Sequence, residues 1–303
     1  MKTILITGGS GMIGSRLSQM LIKKGYKVLW LSRERYIKAQ IPRYRWDYRK
    51  GEIDIEALEQ SDIIIHLAGS NLGDGKWSWQ KKQAIVESRV ETAKLLFDAL
   101  KSINKKPDAF ISASAVGYYG FHTDEKIYTE EDKPAKNDFL SLTCKKWEAA
   151  AFRFQEECNV RTVALRTAFV IANESEGFRK MMLPVRFGLA ASLGGGKQYF
   201  SIIHIDDICN LYIKSIEDTS ITGVYNATVP EYITNREFTR SLAKEMNRLF
   251  IIPDVPAFLL RLFMGEASGM VLEGSRISSK KITDAGYEFK YSTVKDIIKA
   301  SID

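Results

Sequence analysis

Residues 2–14, KTILITGGSGMIG, limit what this chain can become more than any other stretch: an apolar run breaks into glycines and resumes with helical spacing. Gly9-Ser10-Gly11-Met12-Ile13-Gly14 fits G-x-G-x-x-G, and Gly8, Gly11 and Gly14 also fit the wider G-x-x-G-x-x-G spacing. In such a turn one glycine makes the tight bend, one lets the backbone approach a pyrophosphate, and one lets helix and strand pack closely. The pyrophosphate then rests on free N–H groups at the helix start, where the dipole favours anions. Strand before and helix after is the context that gives the motif its meaning.

Short apolar runs at 4–6, 27–31, 44–46, 63–67, 109–112 and 162–165 alternate with amphipathic stretches of helical length at 11–24, 79–102 and 139–157. That alternation predicts right-handed crossovers and a parallel sheet covered on both faces, the doubly wound α/β class. After Arg166 the rhythm changes. Residues 173–200 are rich in Gly, Met and Phe, include Gly194-Gly195-Gly196, and are expected to form a mobile region beside a ligand. Alternation returns over 202–216 and 224–226, and from Val229 onward the pattern is mainly helical, punctuated by Pro230, Pro253 and Pro256. The expected organisation is a nucleotide-binding domain over 1–228, with 173–200 contributing to the substrate cleft. A smaller, mostly helical C-terminal substrate lobe follows over 229–303, with the ligand at the seam.

Composition serves mainly to exclude. A chain of 303 residues is long enough for one large α/β domain and a smaller appendage. The net charge of +7 comes from basic residues scattered among 37 acidic ones, without a long Lys/Arg run. That suits a solvated surface and an anionic cofactor, and no nucleic-acid partner is expected. Gly8, Gly9 and Gly11 interrupt the amino-terminal apolar run before a secretory segment could form. No stretch reaches bilayer-spanning length, so no membrane partner is expected; the longest candidate, 255–264, is broken by Arg261 and reads as a packed helix. Cys144, Cys158 and Cys209 are few and widely spaced, which suits a reducing cytoplasmic location without structural disulfides. With His66, His122 and His204 as the only histidines, no metal site is expected.

The end of the second apolar run refines the cofactor. An NAD site usually places Asp or Glu there to accept from the ribose 2′-hydroxyl. Here the run ends Trp30-Leu31-Ser32-Arg33. A hydroxyl and a forked guanidinium suit a 2′-phosphate, so Ser32 and Arg33 point to NADP(H). NAD is the less favoured cofactor, although Glu34 could serve a ribose.

Several further segments carry a resemblance over nearly the whole chain. They are residues 71–96, with Lys76-Trp77 and Glu87-Ser88-Arg89-Val90; Ser112-Ala113-Ser114-Ala115-Val116-Gly117-Tyr118-Tyr119-Gly120; Asp138-Phe139-Leu140 through Trp147-Glu148; residues 197–207, KQYFSIIHIDD; and Leu272-Glu273-Gly274. Together they resemble the epimerase family proteins, atypical extended short-chain dehydrogenase/reductases of the NAD-dependent epimerase/dehydratase superfamily. The resemblance implies a Rossmann-type core and a small C-terminal domain of unassigned role, and supplies no substrate. It puts Leu67-Ala68-Gly69 where the fourth strand ends against the cofactor. It also puts Arg89 and Arg166 within reach of the cofactor phosphates or ribose. For Arg89 the alternative is a solvated helix-surface charge, since Glu87 and Glu91 sit on other faces. Ala190-Ala191 before Leu193-Gly194, and Ile203 before His204, depart from the family pattern within the substrate lobe.

Ordinary short-chain dehydrogenases use Tyr-x-x-x-Lys on a helix, the lysine lowering the phenol pKa from about 10 toward the working pH. Aligned on Glu148, this chain has Leu140 at the tyrosine position and Cys144 at the lysine position. Leucine cannot move a proton, and a neutral thiol cannot replace an ammonium. Cys144 reads as a small packed cysteine, and His204 as a structural histidine at the end of a strand. The candidate catalytic residues are Ser114, at the end of the fifth strand, and the phenols of Tyr118 and Tyr119; packing and turn formation are the competing roles of all three. Three functions stay open. The first is an NADP(H)-dependent oxidoreductase acting on a small carbonyl or sugar-like substrate with a non-standard proton donor. The second is a non-catalytic NADP(H)-binding regulatory or interaction protein, and the third a nucleotide-sugar epimerase. The substrate is unknown and a homodimer is left open.

Overall fold

The computed structural model describes residues 1–73 and 75–302. In chain order its elements are β1 (Thr3–Thr7), α1 (Met12–Lys23), β2 (Lys27–Ser32), β3 (Arg43–Asp47), β4 (Glu52–Ile53), α2 (Ile55–Glu59), β5 (Ile63–His66), α3 (Trp79–Ser102), β6 (Ala109–Ala115), β7 (Ile127–Tyr128), α4 (Phe139–Cys158) and β8 (Arg161–Thr167). There follow β9 (Phe169–Ile171), α5 (Glu176–Arg186), β10 (Ile202–His204), α6 (Ile205–Glu217), β11 (Gly223–Ala227), α7 (Asn235–Glu245), α8 (Ala257–Met264), α9 (Gly269–Leu272), β12 (Arg276–Ile277), α10 (Lys280–Asp284) and α11 (Val294–Ile302).

Eight strands pair in the order β11-β8-β6-β5-β1-β2-β3-β4, and only the β3–β4 pairing is antiparallel. Every residue of β1 and of β5 is buried, as expected of strands covered on both faces. The two-residue period of the strand sends alternate side chains to opposite layers. Ile4 and Ile6 join Leu17 and Leu21 of α1 and Ile208 and Tyr212 of α6. Leu5 joins Leu96, Phe97 and Leu100 of α3 and Phe154 of α4. Helices therefore cover both faces, and the doubly wound α/β expectation holds. The strand order reverses between β1 and β5, which opens a crevice at their C-terminal ends. Thr7 Oγ1 accepts the N–H groups of Leu67 and Ala68, both at 3.1 Å, and so pins the exit of β5 beside the glycine turn.

A second core gathers Phe178, Met182 and Val185 of α5, Ile202 of β10, Phe238 and Leu242 of α7, and Ile297 and Ile298 of α11. Two aspartates fasten this part to the sheet. Asp206 pairs with Arg16 of α1 at 2.7 Å and with Lys290 at 2.9 Å. Asp207 accepts the Tyr287 hydroxyl at 2.7 Å and the N–H groups of Lys290 and Tyr291 at 2.8 and 3.0 Å. His204 caps α6 by accepting the Asp206 N–H at Nδ1, 3.1 Å, which gives it the structural role read from the sequence.

One expectation gains detail and another is corrected. The 173–200 region contains a helix, α5, capped by Ser175, whose hydroxyl accepts the Phe178 N–H at 3.4 Å; Phe178, Met182 and Val185 are its buried residues. Farther along, Leu193 forms a bridge with Val255 and Tyr199 one with Thr234. The packed helix expected over 255–264 is different. It forms as α8, but none of its residues is buried, and Phe258, Leu262 and Phe263 face solvent. An apolar run supplies a helix that wants a partner; here the lobe covers only part of its circumference.

Candidate functional site

The glycine turn lies at the β1/β5 crevice. Gly8 has φ +68°, and a Cβ there would come within 2.9 Å of the Leu67 carbonyl group. At Gly14 a Cβ would fall 2.4 Å from the Gly8 oxygen, so strand and helix approach as closely as two backbones allow. The Gly11 N–H closes the turn onto the Gly8 carbonyl at 3.0 Å. Helix α1 begins at Met12 with no side-chain cap and no acidic residue in its first turn. Ser10 is exposed, while Met12 and Ile13 pack their side chains onto the core. The N–H groups of that first turn lack the side-chain acceptor that usually satisfies them, in a bend open to an anion. The residues present fit a dinucleotide pyrophosphate.

At the end of β2, the Ser32 hydroxyl donates to the Glu34 carbonyl. Arg33 is exposed and pairs with nothing among the described residues. Its neighbour Arg35, by contrast, is held by Asp54 at 3.2 Å and Glu56 at 2.7 Å. On the other bank of the crevice Leu67 and Ala68 are half-buried and Gly69 is exposed.

Beneath Gly69 lies Arg89 of α3. The sequence left it between a ligand contact and a surface charge; it is 8% exposed. A Cβ on Gly69 would sit 2.9 Å from the Arg89 guanidinium carbon. The guanidinium donates to the carbonyls of Ile85 at 2.9 Å and Ser70 at 3.1 Å and lies over the Trp147 ring at 5.0 Å. No carboxylate among the described residues pairs with it, and burial lowers its pKa to about 10, so it remains a cation. Behind it, His66 is completely buried between Thr92, 2.9 Å from Nε2, and the Trp147 indole N–H, which donates to Nδ1 at 3.4 Å. Burial, then the Arg89 charge, push His66 down to about 3, so its ring is neutral.

The expected catalytic residues divide. Ser114, at 3% exposure, donates its hydroxyl to Glu148 Oε1 at 2.6 Å. That carboxylate also accepts Arg166 Nε at 2.8 Å and Nη2 at 2.9 Å, a bidentate pair with both side chains buried. Burial alone would depress Arg166, but the bond and charge of Glu148 outweigh it and leave its pKa raised. Arg166 Nη1 donates to the Tyr119 hydroxyl at 3.0 Å, and that hydroxyl lies 2.8 Å from Asn226 Oδ1 and 2.9 Å from the Thr129 carbonyl. Burial pushes Tyr119 up to about 12, against the pull of Arg166. The donors of Arg166 are thus committed inward, which departs from the cofactor contact expected of it. Tyr118 differs from its neighbour. It is half-buried, its ring centroid lies 3.3 Å from the Arg166 guanidinium carbon, and its hydroxyl makes no hydrogen bond among the described residues.

Leu140 packs with Trp77 and Ile85 and approaches Gly117. Burial, then Glu148, push the Cys144 thiol up to about 12, so it is an inert packed thiol as read from the sequence. Glu148 was missed as a site residue. Its signal was available: it lies four residues past Cys144 and eight past Leu140, on the same helical face as the missing pair.

Comparisons with known proteins agree with this arrangement. The family model described as NAD dependent epimerase/dehydratase matches residues 4–227, and a domain of unknown function (DUF1731) matches residues 255–301. An epimerase family protein of Staphylococcus aureus is 33% identical over 99% of this chain and 100% of its own length. One from Mycobacterium leprae is 33% identical over 97% of this chain and 94% of its own. Among solved structures, the human epimerase family protein SDR39U1 (isoform 2) with NADPH superposes with a TM-score of 0.87 at 28% identity, covering 98% of each chain. A UDP-glucose 4-epimerase from Thermotoga maritima, at 18% identity and a TM-score of 0.79, shares the fold. With that geometry and those matches, the chain belongs to the NAD dependent epimerase/dehydratase family.

Proposed function

We propose that this chain binds NADP(H) across the β1/β5 crevice and is an oxidoreductase acting on a small carbonyl or sugar-like substrate without a Tyr-x-x-x-Lys pair. The observation that carries the reading is the uncapped start of α1 in line with an exposed, unpaired Arg33 at the end of β2. Amides suit the pyrophosphate and a guanidinium suits a 2′-phosphate. The NADPH in the human relative supports the same choice. When bound, the dinucleotide supplies a hydride at its nicotinamide. The chain supplies positions and a proton: Gly8, Gly11 and Gly14 seat the phosphates, Ser10 and Arg33 grip the adenosine end, with Ser32 joining them once its hydroxyl turns from the Glu34 carbonyl, and Leu67, Ala68 and Gly69 form the opposite wall. Arg89 adds a cation beneath Gly69. The Tyr118 hydroxyl, unspent and not enclosed, is the proton source of this reading. Ser114, Glu148, Arg166 and Tyr119 hold the Tyr118 ring from beneath.

Stereospecific hydride exchange between labelled NADPH and a carbonyl library tests the proposal. Exchange is expected, and Tyr118→Phe should slow it about 10²–10⁴-fold, the usual effect of removing a placed acid. Tight NADPH binding with no exchange from any compound would refute the oxidoreductase reading. That outcome would favour the second one, a cofactor-binding regulatory protein. Its specific support is that Ser114 is bonded to Glu148 while Leu140 and Cys144 are packed and inert. NADP(H) would then be expected to change hydrogen exchange across 173–200, and unchanged exchange would exclude that mechanism.

A further inference from the structure

We propose that the exposed face built from the end of α5, residues 247–252 and α8 is a docking surface for an anionic lipid bilayer. Phe187, Leu189, Leu249, Ile251, Phe258 and Leu262 are each between 56% and 76% exposed. At about 100 Å² or more of open area each, they exceed the ~300–600 Å² apolar patch of a typical soluble monomer. Hydrogen bonds tie together the segments that carry them. The Arg248 Nε donates to the Arg186 carbonyl at 3.1 Å, which joins the 247–252 segment to the end of α5. Val255 bonds to Ser192 at 2.8 Å and accepts from Gly194 at 2.9 Å, which joins the approach to α8 to the chain that follows Leu189.

Charge selects the occupant. Three of the apolar side chains directly follow an exposed arginine: Arg186-Phe187, Arg248-Leu249 and Arg261-Leu262. None of these arginines pairs with a carboxylate among the described residues. Lys244 and Arg240 are exposed beside them on α7; nearby Glu176 and Asp254 are already paired with Lys180 and Arg236, and Glu245, half-buried next to Lys244, is outnumbered by these cations. An apolar centre with an unpaired basic rim matches an interface of acyl chains and anionic headgroups, with the long arginine stems reaching the charge layer. A second copy of the chain fits less well, because a two-fold contact sets the patch on itself and brings the arginines together. The eight residues of α8 are too few to span a membrane, and among the described residues no helix is long and apolar enough to cross one. Spanning length was the ground on which no membrane partner was expected, and it does not bear on a helix lying flat.

Co-sedimentation of the full chain with phosphatidylcholine vesicles, with and without phosphatidylglycerol, tests the proposal. Binding is expected to vesicles containing phosphatidylglycerol and to weaken with salt. At about fivefold per basic residue, the Arg186→Gln/Arg248→Gln/Arg261→Gln variant should lose roughly a hundredfold in affinity. Phe187→Ser/Leu249→Ser/Leu262→Ser should abolish binding, while both variants stay folded with NADPH affinity unchanged. No binding, equal binding to both vesicle types, or parental binding by either triple variant would overturn it. So would a dimer in analytical ultracentrifugation that the serine variant dissociates, since a second copy would then cover the face.

Discussion

Replacing Glu148 with glutamine keeps the shape of the side chain and removes the charge that balances Arg166. The two side chains are 9% and 3% exposed, so water cannot take over the role of the carboxylate. An uncompensated buried charge of this kind costs about 3–5 kcal/mol. The glutamine oxygen can still accept from Ser114 or Arg166, which places the expectation near the lower end, about 3 kcal/mol. At an unfolding entropy of ~2.1 cal/mol/K per residue, a chain of 303 residues should melt about 5 °C lower. Calorimetry, together with urea midpoints at constant slope, measures this. Arg166→Met should cost a similar amount by stranding the carboxylate, and the Glu148→Gln/Arg166→Met double variant much less than the sum of the single changes. A melting point within a degree of the parent, or a cycle additive to about 0.5 kcal/mol, would refute the account of a mutually dependent buried pair.

Gly14→Ala should eliminate NADP(H) binding by calorimetry and also lower the melting point, because the new methyl must displace the Gly8 carbonyl from 2.4 Å. Arg33→Ala should weaken NADPH far more than NADH; equal losses would remove Arg33 from the 2′-phosphate. His66 sits near 3 in the folded chain against 6.5 ordinarily, so below 6.5 the unfolded chain takes up a proton that the native one refuses. Its contribution is therefore whole above 6.5 and drains as the pH falls toward 3, reaching about 2 kcal/mol lost by pH 5. Stability curves of His66→Gln should fall by that much less between pH 7 and pH 5, and parallel curves would contradict the assignment.

The sheet was legible because strands buried on both faces read as unbroken apolar runs, and β1 and β5 are such strands. The glycine turn was legible because its spacing states a backbone requirement rather than a preference. Helix α5 was obscured by Gly177 and Pro184, although Phe178, Met182 and Val185 keep a helical period. The exposed face of α8 could not have been read at all: periodicity reveals an apolar stripe, not whether anything covers it. Arg89 was unreadable for the opposite reason. Charged residues default to the surface, and only the missing side chain of Gly69 admits a guanidinium beneath the crevice wall.

The face of α4 that carries tyrosine and lysine in ordinary short-chain dehydrogenases carries a different, coherent set here. Leu140, Cys144 and Glu148 succeed one another at single-turn intervals, from apolar to neutral to anionic. A lysine at the Cys144 position would stand beside Arg89 and Arg166, the two cations whose charges already reach that thiol. The positive charge near the site therefore comes from β8 and α3 rather than from α4, and Glu148 fixes one of its two carriers in place. Ser114 follows from the same exchange, since a carboxylate one turn past the thiol gives its hydroxyl an acceptor inside the protein. What remains unspent at the rim of this network is the Tyr118 phenol. In the proposed reading, the proton therefore comes from a residue on the turn after β6 rather than from the helix.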